Sequence, residues 1–302
     1  LALKAESFDQ VLAIFQKWDL DATLIGEFVS DEFATIVDKH RILCSTPVKA
    51  LTDPPTVTFN VTKPQWLKEL QQVDLSTTPT PEVPASEILL KMLASPNIAS
   101  RRTIFRQYDH HVQTNTVLPP GDGDAAVLRL KGSNRGISIT IDGNGRLCYL
   151  DPYAGSAIAV AEACRNLACT GAEPIAVTDG LNFGNPENPD VQYQISLAVA
   201  GIRTACEVFG IPVVSGNASL YNESRGTAIY PTPIIGALGL IENVARHVGQ
   251  SFKNTGDHII LVGEEDIHGD PRDLAGSEYL YHILDLVAGL PRVDLELEYA
   301  VQ

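Results

Sequence analysis

The sequence predicts an α+β fold, and three observations carry that reading. Phe8, Val11, Leu12 and Phe15 recur at helical spacing. "DAAVLRLKG" and "RGISITIDG" alternate apolar and polar residues as strands do. Solid apolar runs such as "IPVV" stop abruptly in small polar residues, "SGNAS".

Taken in order, residues 5–18 read as a helix. "ATLIGEFVSDEFATIVDKHRILCSTPV" reads as short strands split by polar turns, the tail of an α/β or α+β domain. Prolines in "TDPPTVTFNVTKPQ" break it, and the Thr/Pro-rich "QQVDLSTTPTPEVPASE" reads as a linker. Residues 86–93 resume a helix with Ser86 as its cap. Two strands follow, separated by a turn at 132–134, and Asp142 and Asn144 in "IDGNGR" suit a hairpin turn. Asp151, before Pro152, caps a helix over 156–170 whose small residues demand close packing. "EPIAVTDGLNFGNPENPD" is a strand running into a polar loop, and residues 191–209 are a second long helix. The run from Ile211 is a buried strand, "PTPIIGALGLIENV" another, and "DHIILVG" opens a further region. Only the middle piece reads as complete, and both ends read as cut from a longer protein.

Composition narrows the function. The 302 residues carry a net charge of -15, which repels nucleic acid and anionic membranes. A phosphate ligand must then come with a metal or rest on backbone N–H groups. No apolar run reaches membrane-spanning length. Cys44, Cys148, Cys164, Cys169 and Cys206 are odd in number and form no Cys-x-x-Cys pair, so they read as reduced core thiols of a cytoplasmic protein. His110 and His111 are adjacent and do not share a face, which argues against a metal pair.

Two strand ends concentrate the chemistry. "IAVTDGLNFGNP" sets Asp179, Asn182 and Asn185 beyond an apolar run, and "PVVSGNASLYNE" sets Gly216, Asn217, Ser219 and Glu223 beyond another. Glycine admits a ligand to the backbone, carboxylate and carboxamide oxygens suit Mg²⁺, and Ser219 can donate to a phosphate or polar substrate. The two ends facing one pocket would hold a magnesium–nucleotide complex. Ordinary turn formation explains the same residue types. Neither common phosphate loop, G-x-x-x-x-G-K-[ST] or G-x-G-x-x-G, is present.

"YLDPYAGSAIAVAEACRNLACTGAEPIAVTDGLNFGNPE", "VVSGNASLYNES" and "IYPTPIIGALGLIE" closely resemble the synthetase subunit family of phosphoribosylformylglycinamidine synthase, within the aminoimidazole ribonucleotide synthetase superfamily. The likeness extends to "RQYDHHVQTNTV" and "GSEYLYHIL" and covers nearly the whole chain outside the linker. It implies a subunit built by duplicating a two-domain unit. Residues 1–60 would be the C-terminal part of the first repeat's second domain, and 61–99 a linker and helix. Residues 100–240 would be the ATP/Mg-binding domain of the second repeat, and 241–302 the start of its partner. The middle sheet would form half of a dimeric barrel, flanked by partial α/β sandwich domains.

The implied reaction is ligation: formylglycinamide ribonucleotide, ATP and ammonia give an amidine, ADP and phosphate. Ammonia would come from glutamine through a separate amidotransferase subunit, helped by a small bridging subunit. Carried over by position, Asp179 and Gly216 touch ATP, Asn217 binds Mg²⁺ and Ser219 touches the ribonucleotide. The family's Glu-x-His-Asn-His-Pro motif is missing. The matching place reads "DGNGRLCYL", so no catalytic residue is assigned and little turnover is expected of this chain alone. The alternative is a non-catalytic nucleotide-binding structural module. A selenophosphate synthetase or hydrogenase-maturation protein is disfavoured by the "TDGLNFGNP" text and the lack of a glycine-rich lysine loop. A sheet face left bare would pair the chain with a second copy of itself.

Overall fold

The computed structural model describes residues 1–55, 61–263 and 269–302. The chain forms two compact units, Leu1–Thr58 and Phe59–Gln302. In the first, α1 (Phe8–Lys17) precedes a hairpin of β1 (Phe33–Asp38) and β2 (Arg41–Pro47), then α2 (Val48–Thr52). The expected helix is there, but residues 22–29 form no strand. None of the described residues of this unit is buried, and Ile25 and Phe28 are almost fully exposed. Local pairing makes its hairpin; no core of its own supports it.

The second unit opens with α3 (Gln65–Gln71), α4 (Ala85–Leu93) and α5 (Arg102–Phe105). The cap expected at Ser86 is not formed: α4 begins at Ala85 behind Pro84, which has no side-chain oxygen to offer. The region read as linker and helix, 61–99, docks on the rest of the unit. Trp66 stacks on Tyr149 with ring centroids 4.8 Å apart and donates its indole N–H to Asp190 Oδ2 at 2.7 Å. Leu67 is fully buried.

The core is a mixed sheet. Its strands are β3 (Thr116–Leu118), β4 (Ala126–Arg129), β5 (Gly136–Asp142), β6 (Glu173–Asn182), β7 (Val213–Ser219) and, after the short pair β8 (Glu223–Ser224) and β9 (Thr227–Ala228), β10 (Thr232–Ile241). Their spatial order is β3-β4-β5-β10-β6-β7. All neighbours are antiparallel except β6 and β7. A parallel pair needs a long crossover, and the helix α8 (Pro189–Phe209) supplies it. Between β5 and β6 lie α6 (Gly145–Leu150) and α7 (Pro152–Cys169); α9 (Glu278–Leu284) and α10 (Leu295–Val301) close the chain.

Burial alternates along β5 and β10. Ser138, Ile235, Ala237 and Ile241 are buried, whereas Ile141 and Ile234 are exposed. Residues directly opposite across a ladder share a face, so the buried set forms one face, covered by α7 with α8 packed alongside. Asp151 caps α7 as expected, accepting the Ala154 N–H at 3.0 Å. That helix starts at Pro152, four residues before the expected 156, because Pro tolerates the first helical position. The small residues of α7 and α8 serve the contact between them: a Cβ at Gly201 would fall on the Tyr153 backbone carbonyl.

Two expectations fail for positional reasons. Asp142 and Asn144 make no hairpin turn; Asn144 accepts from the Arg146 and Leu147 N–H groups and caps α6. The run from Ile211 is not a buried strand: β7 is the sheet edge, and Val213 and Val214 are 44% and 66% exposed. Of the cysteines, Cys148, Cys164 and Cys206 are buried and all five are free, but Cys44 and Cys169 are exposed rather than core thiols.

Candidate functional site

The two strand ends singled out in the sequence are neighbours, because β6 and β7 pair in parallel. The register sets Asp179 beside Gly216, Gly180 beside Asn217, and Asn182 beside Ser219. Side chains alternate between faces along a strand, so these residues divide. Asp179 lies across from Ile235 on the helix-covered face. Gly216 shares that face, and a Cβ there would overlap the Asp179 carboxylate. Asn217 and Ser219 project from the opposite face, with Asn217 Oδ1 next to Gly180. The expectation that Asp179 and Asn217 grip one cation together is therefore corrected. Their strands adjoin, but one carboxylate and one carboxamide face opposite ways.

Burial alone lifts the Asp179 carboxyl above its ordinary range. Much of the surrounding polarity holds the chain in shape. Asn188 caps α8 through the Asp190 N–H, and Glu223 accepts the Asn185 N–H at 2.9 Å. Asn222 donates to the carbonyls of Phe183 and Ser219. Asn182 donates to those of Gly180 and Thr232. Phe183 is fully buried against Val191 and Ala198, and that contact anchors the loop. Turn formation thus accounts for Asn185, Asn222 and Glu223, and leaves Asp179, Gly216, Asn217 and Ser219 as the candidates.

The residues do not by themselves fit a magnesium site. Mg²⁺ is normally held by one or two carboxylates together with phosphates and water. On the face of Asn217 the nearby side chains are neutral, Ser219 and Asn182, and among the described residues no group of three His, Cys, Asp or Glu could hold a metal.

A second feature was not legible in the sequence. A cleft of about 640 Å³ opens where β5 runs into α6, opposite α9. Asp142, Arg146, Glu162, Glu278 and His282 line it, from this junction and from α7 and α9. Asp142 accepts from Thr140 Oγ1 at 3.0 Å and from Asn166 Nδ2 at 3.1 Å, yet burial still raises its carboxyl. Burial also raises Glu162, and the Asp142 charge adds to the effect. Burial would push Glu278 up too, but hydrogen bonds from Asn97 and Arg146 outweigh it and hold this carboxyl low. Arg146 is almost fully buried, ion-paired with Glu278 and stacked over Tyr281 at 4.6 Å. Arg146 and Glu278 lie 132 positions apart, so no local signal could have joined them. The cleft includes the "DGNGR" segment, the place that the resemblance matches to the family motif and that holds no histidine.

Comparison with known proteins agrees with this architecture. The domain family described as AIR synthase related protein, N-terminal domain, matches residues 122–241. The chain is 48% identical over 304 residues to the phosphoribosylformylglycinamidine synthase subunit PurL of Moorella thermoacetica, covering 100% of this chain and 40% of that protein. It is 47% identical over 305 residues to the same subunit of Thermomicrobium roseum, covering 100% of this chain and 41% of that protein. The chain thus spans about two fifths of the length of these curated relatives. Thermotoga maritima PurL complexed with ADP superposes with a TM-score of 0.63 at 30% identity, covering 81% of this chain and 38% of that one. The PurLQS structure from the same organism gives 0.62 at 32% identity, covering 81% and 37%. A sheet of this order, its helix layer and its sequence text together make the chain a homologue of part of PurL, with an AIR synthase related N-terminal domain at residues 122–241.

Proposed function

We propose that the chain supplies part of the ATP and substrate site of a phosphoribosylformylglycinamidine synthase. That enzyme is an ATP-dependent carbon–nitrogen ligase of purine biosynthesis that uses glutamine-derived ammonia. The observation that carries the reading is the pair of parallel strand ends. The Asp179 carboxylate packs over Gly216 on one face, and Asn217 and Ser219 project together from the uncovered face. Solved T. maritima PurL complexes with ATP and with FGAR, at 31% and 30% identity, support a nucleotide and a ribonucleotide as ligands. PurLQS supports an amidotransferase and a small bridging subunit as partners.

In this reading Asn217 and Ser219 meet the nucleotide and ribonucleotide arriving at the open face, while Asp179, on the helix-covered face, packs over Gly216 and shapes the strand ends from behind. Magnesium would enter bound to the nucleotide, with Asn217 as one neutral ligand beside the likewise neutral Asn182 and Ser219. The domain layout of 1–60, 61–99, 100–240 and 241–302 and the half-barrel remain part of the proposal. Asn217→Ala should weaken Mg-ATP binding about tenfold in calorimetry and leave metal-free nucleotide binding unchanged. An equal loss with and without Mg²⁺ would refute the ligand role. Phosphate release on adding the first repeat of a PurL relative would establish participation in turnover.

One observation favours the second reading, a nucleotide-holding module without chemistry. At the "DGNGR" turn the cleft presents Arg146, a group that is always protonated and is engaged with Glu278. It cannot act as a base. Nucleotide binding that persists without phosphate release in the reconstituted enzyme would select this reading.

A further inference from the structure

The helix α9 belongs to a small core of its own. Leu280 is buried with Leu75 and Ala275, and Leu274, Leu284 and Leu286 pack around them. The main core under the sheet, from Val127 across to Ile241, is a separate and larger cluster. Elements with few buried apolar contacts open locally at lower free energy than the core they rest on. Arg146 stacks over Tyr281 and donates to the Gly276 carbonyl just before α9, but the side-chain hydrogen bonds that tie α9 itself to its surroundings meet at one carboxylate. Glu278 receives Arg146 from α6 and Asn97 from the segment after α4. His282, one turn on, sets its Nε2 2.9 Å from Glu278 Oε2. Those two atoms are buried, yet they are not aligned as a hydrogen bond and have no other partner among the described residues. Glu278, Tyr281 and His282 also line the cleft.

We propose that α9 is a movable wall of this cleft and that the Glu278 carboxylate is the latch holding it to α6 and to Asn97. The inference does not depend on the ligase reading. With the latch closed, Arg146 is neutralised and Glu162 lines the same cleft as α9. With it open, α9 swings away with its own small core while the sheet stays folded.

Hydrogen exchange on the full chain tests this. Amides of residues 280–284 should exchange at least tenfold faster than those of β5 and β10 in the unmodified protein. Glu278→Gln should accelerate them a further tenfold or more without changing the sheet. Asn97→Ala, which leaves the ion pair intact, should give a smaller acceleration in the same amides, and it serves if the first variant fails to fold. A cysteine placed by Glu162→Cys should be alkylated faster when Glu278→Gln is added, read peptide by peptide to separate it from Cys44 and Cys169. Exchange of α9 only together with the sheet, or no acceleration in either variant, would overturn the proposal.

Discussion

At the residue scale, Asp179 shows what burial does to a carboxylate with no charged partner. Its folded pKa lies above the unfolded 3.8. A raised acid contributes its full stability below the unfolded value and loses it as pH rises through the folded one. Replacing Asp179 by Asn should therefore raise stability at pH 7, by under about 1 kcal/mol because solvent screens much of the charge. Below pH 3.8 the gain should vanish. Urea midpoints at the two pH values check this, and equal gains at both would assign the effect to packing. The residue types at this site are legible in the sequence: Asp179, Gly216, Asn217 and Ser219 all stand where an apolar run gives way to small polar residues. Their facing is not. The alternation along each strand is local, but which face receives α7 is decided by long-range packing.

At the element scale, α7 and α8 show how far a pattern reaches. Their existence follows from composition, the Asp151 cap and Pro152. Their separation is set by Gly201, whose missing Cβ lets α8 rest on the Tyr153 carbonyl. Gly201→Ala should push the helices apart and cost about 1–3 kcal/mol, visible as a lowered midpoint in chemical unfolding. An unchanged midpoint would mean that the helices can slide at no cost. The strand from Ile211 teaches the reverse lesson. Its apolar run reads as core, yet it lies at the sheet edge, and an edge strand cannot be told from a central one by its own residues.

At the scale of the whole molecule, the sheet is covered on one face by α7 and α8, and its other face exposes Ile141 at 72% and Ile234 at 40%. Apolar surface of this kind favours association. We expect light scattering at micromolar concentration to give a mass above that of one chain, and Ile141→Lys to return it to one. A single-chain mass for the unmodified protein would count against a paired sheet. The described residues include no helix long and apolar enough to cross a membrane.

By itself the sequence determined the strands β4, β5, β6 and β10 and the helices α7 and α8, the cap at Asp151 and the kinship with PurL. Each of these is written in neighbouring residues or in contiguous text. Only the tertiary structure decided that Asp179 and Asn217 face apart, that β7 is an edge, and that Arg146 meets Glu278 across a cleft. Those facts depend on register and on contacts between residues far apart in the chain, which local propensity does not encode.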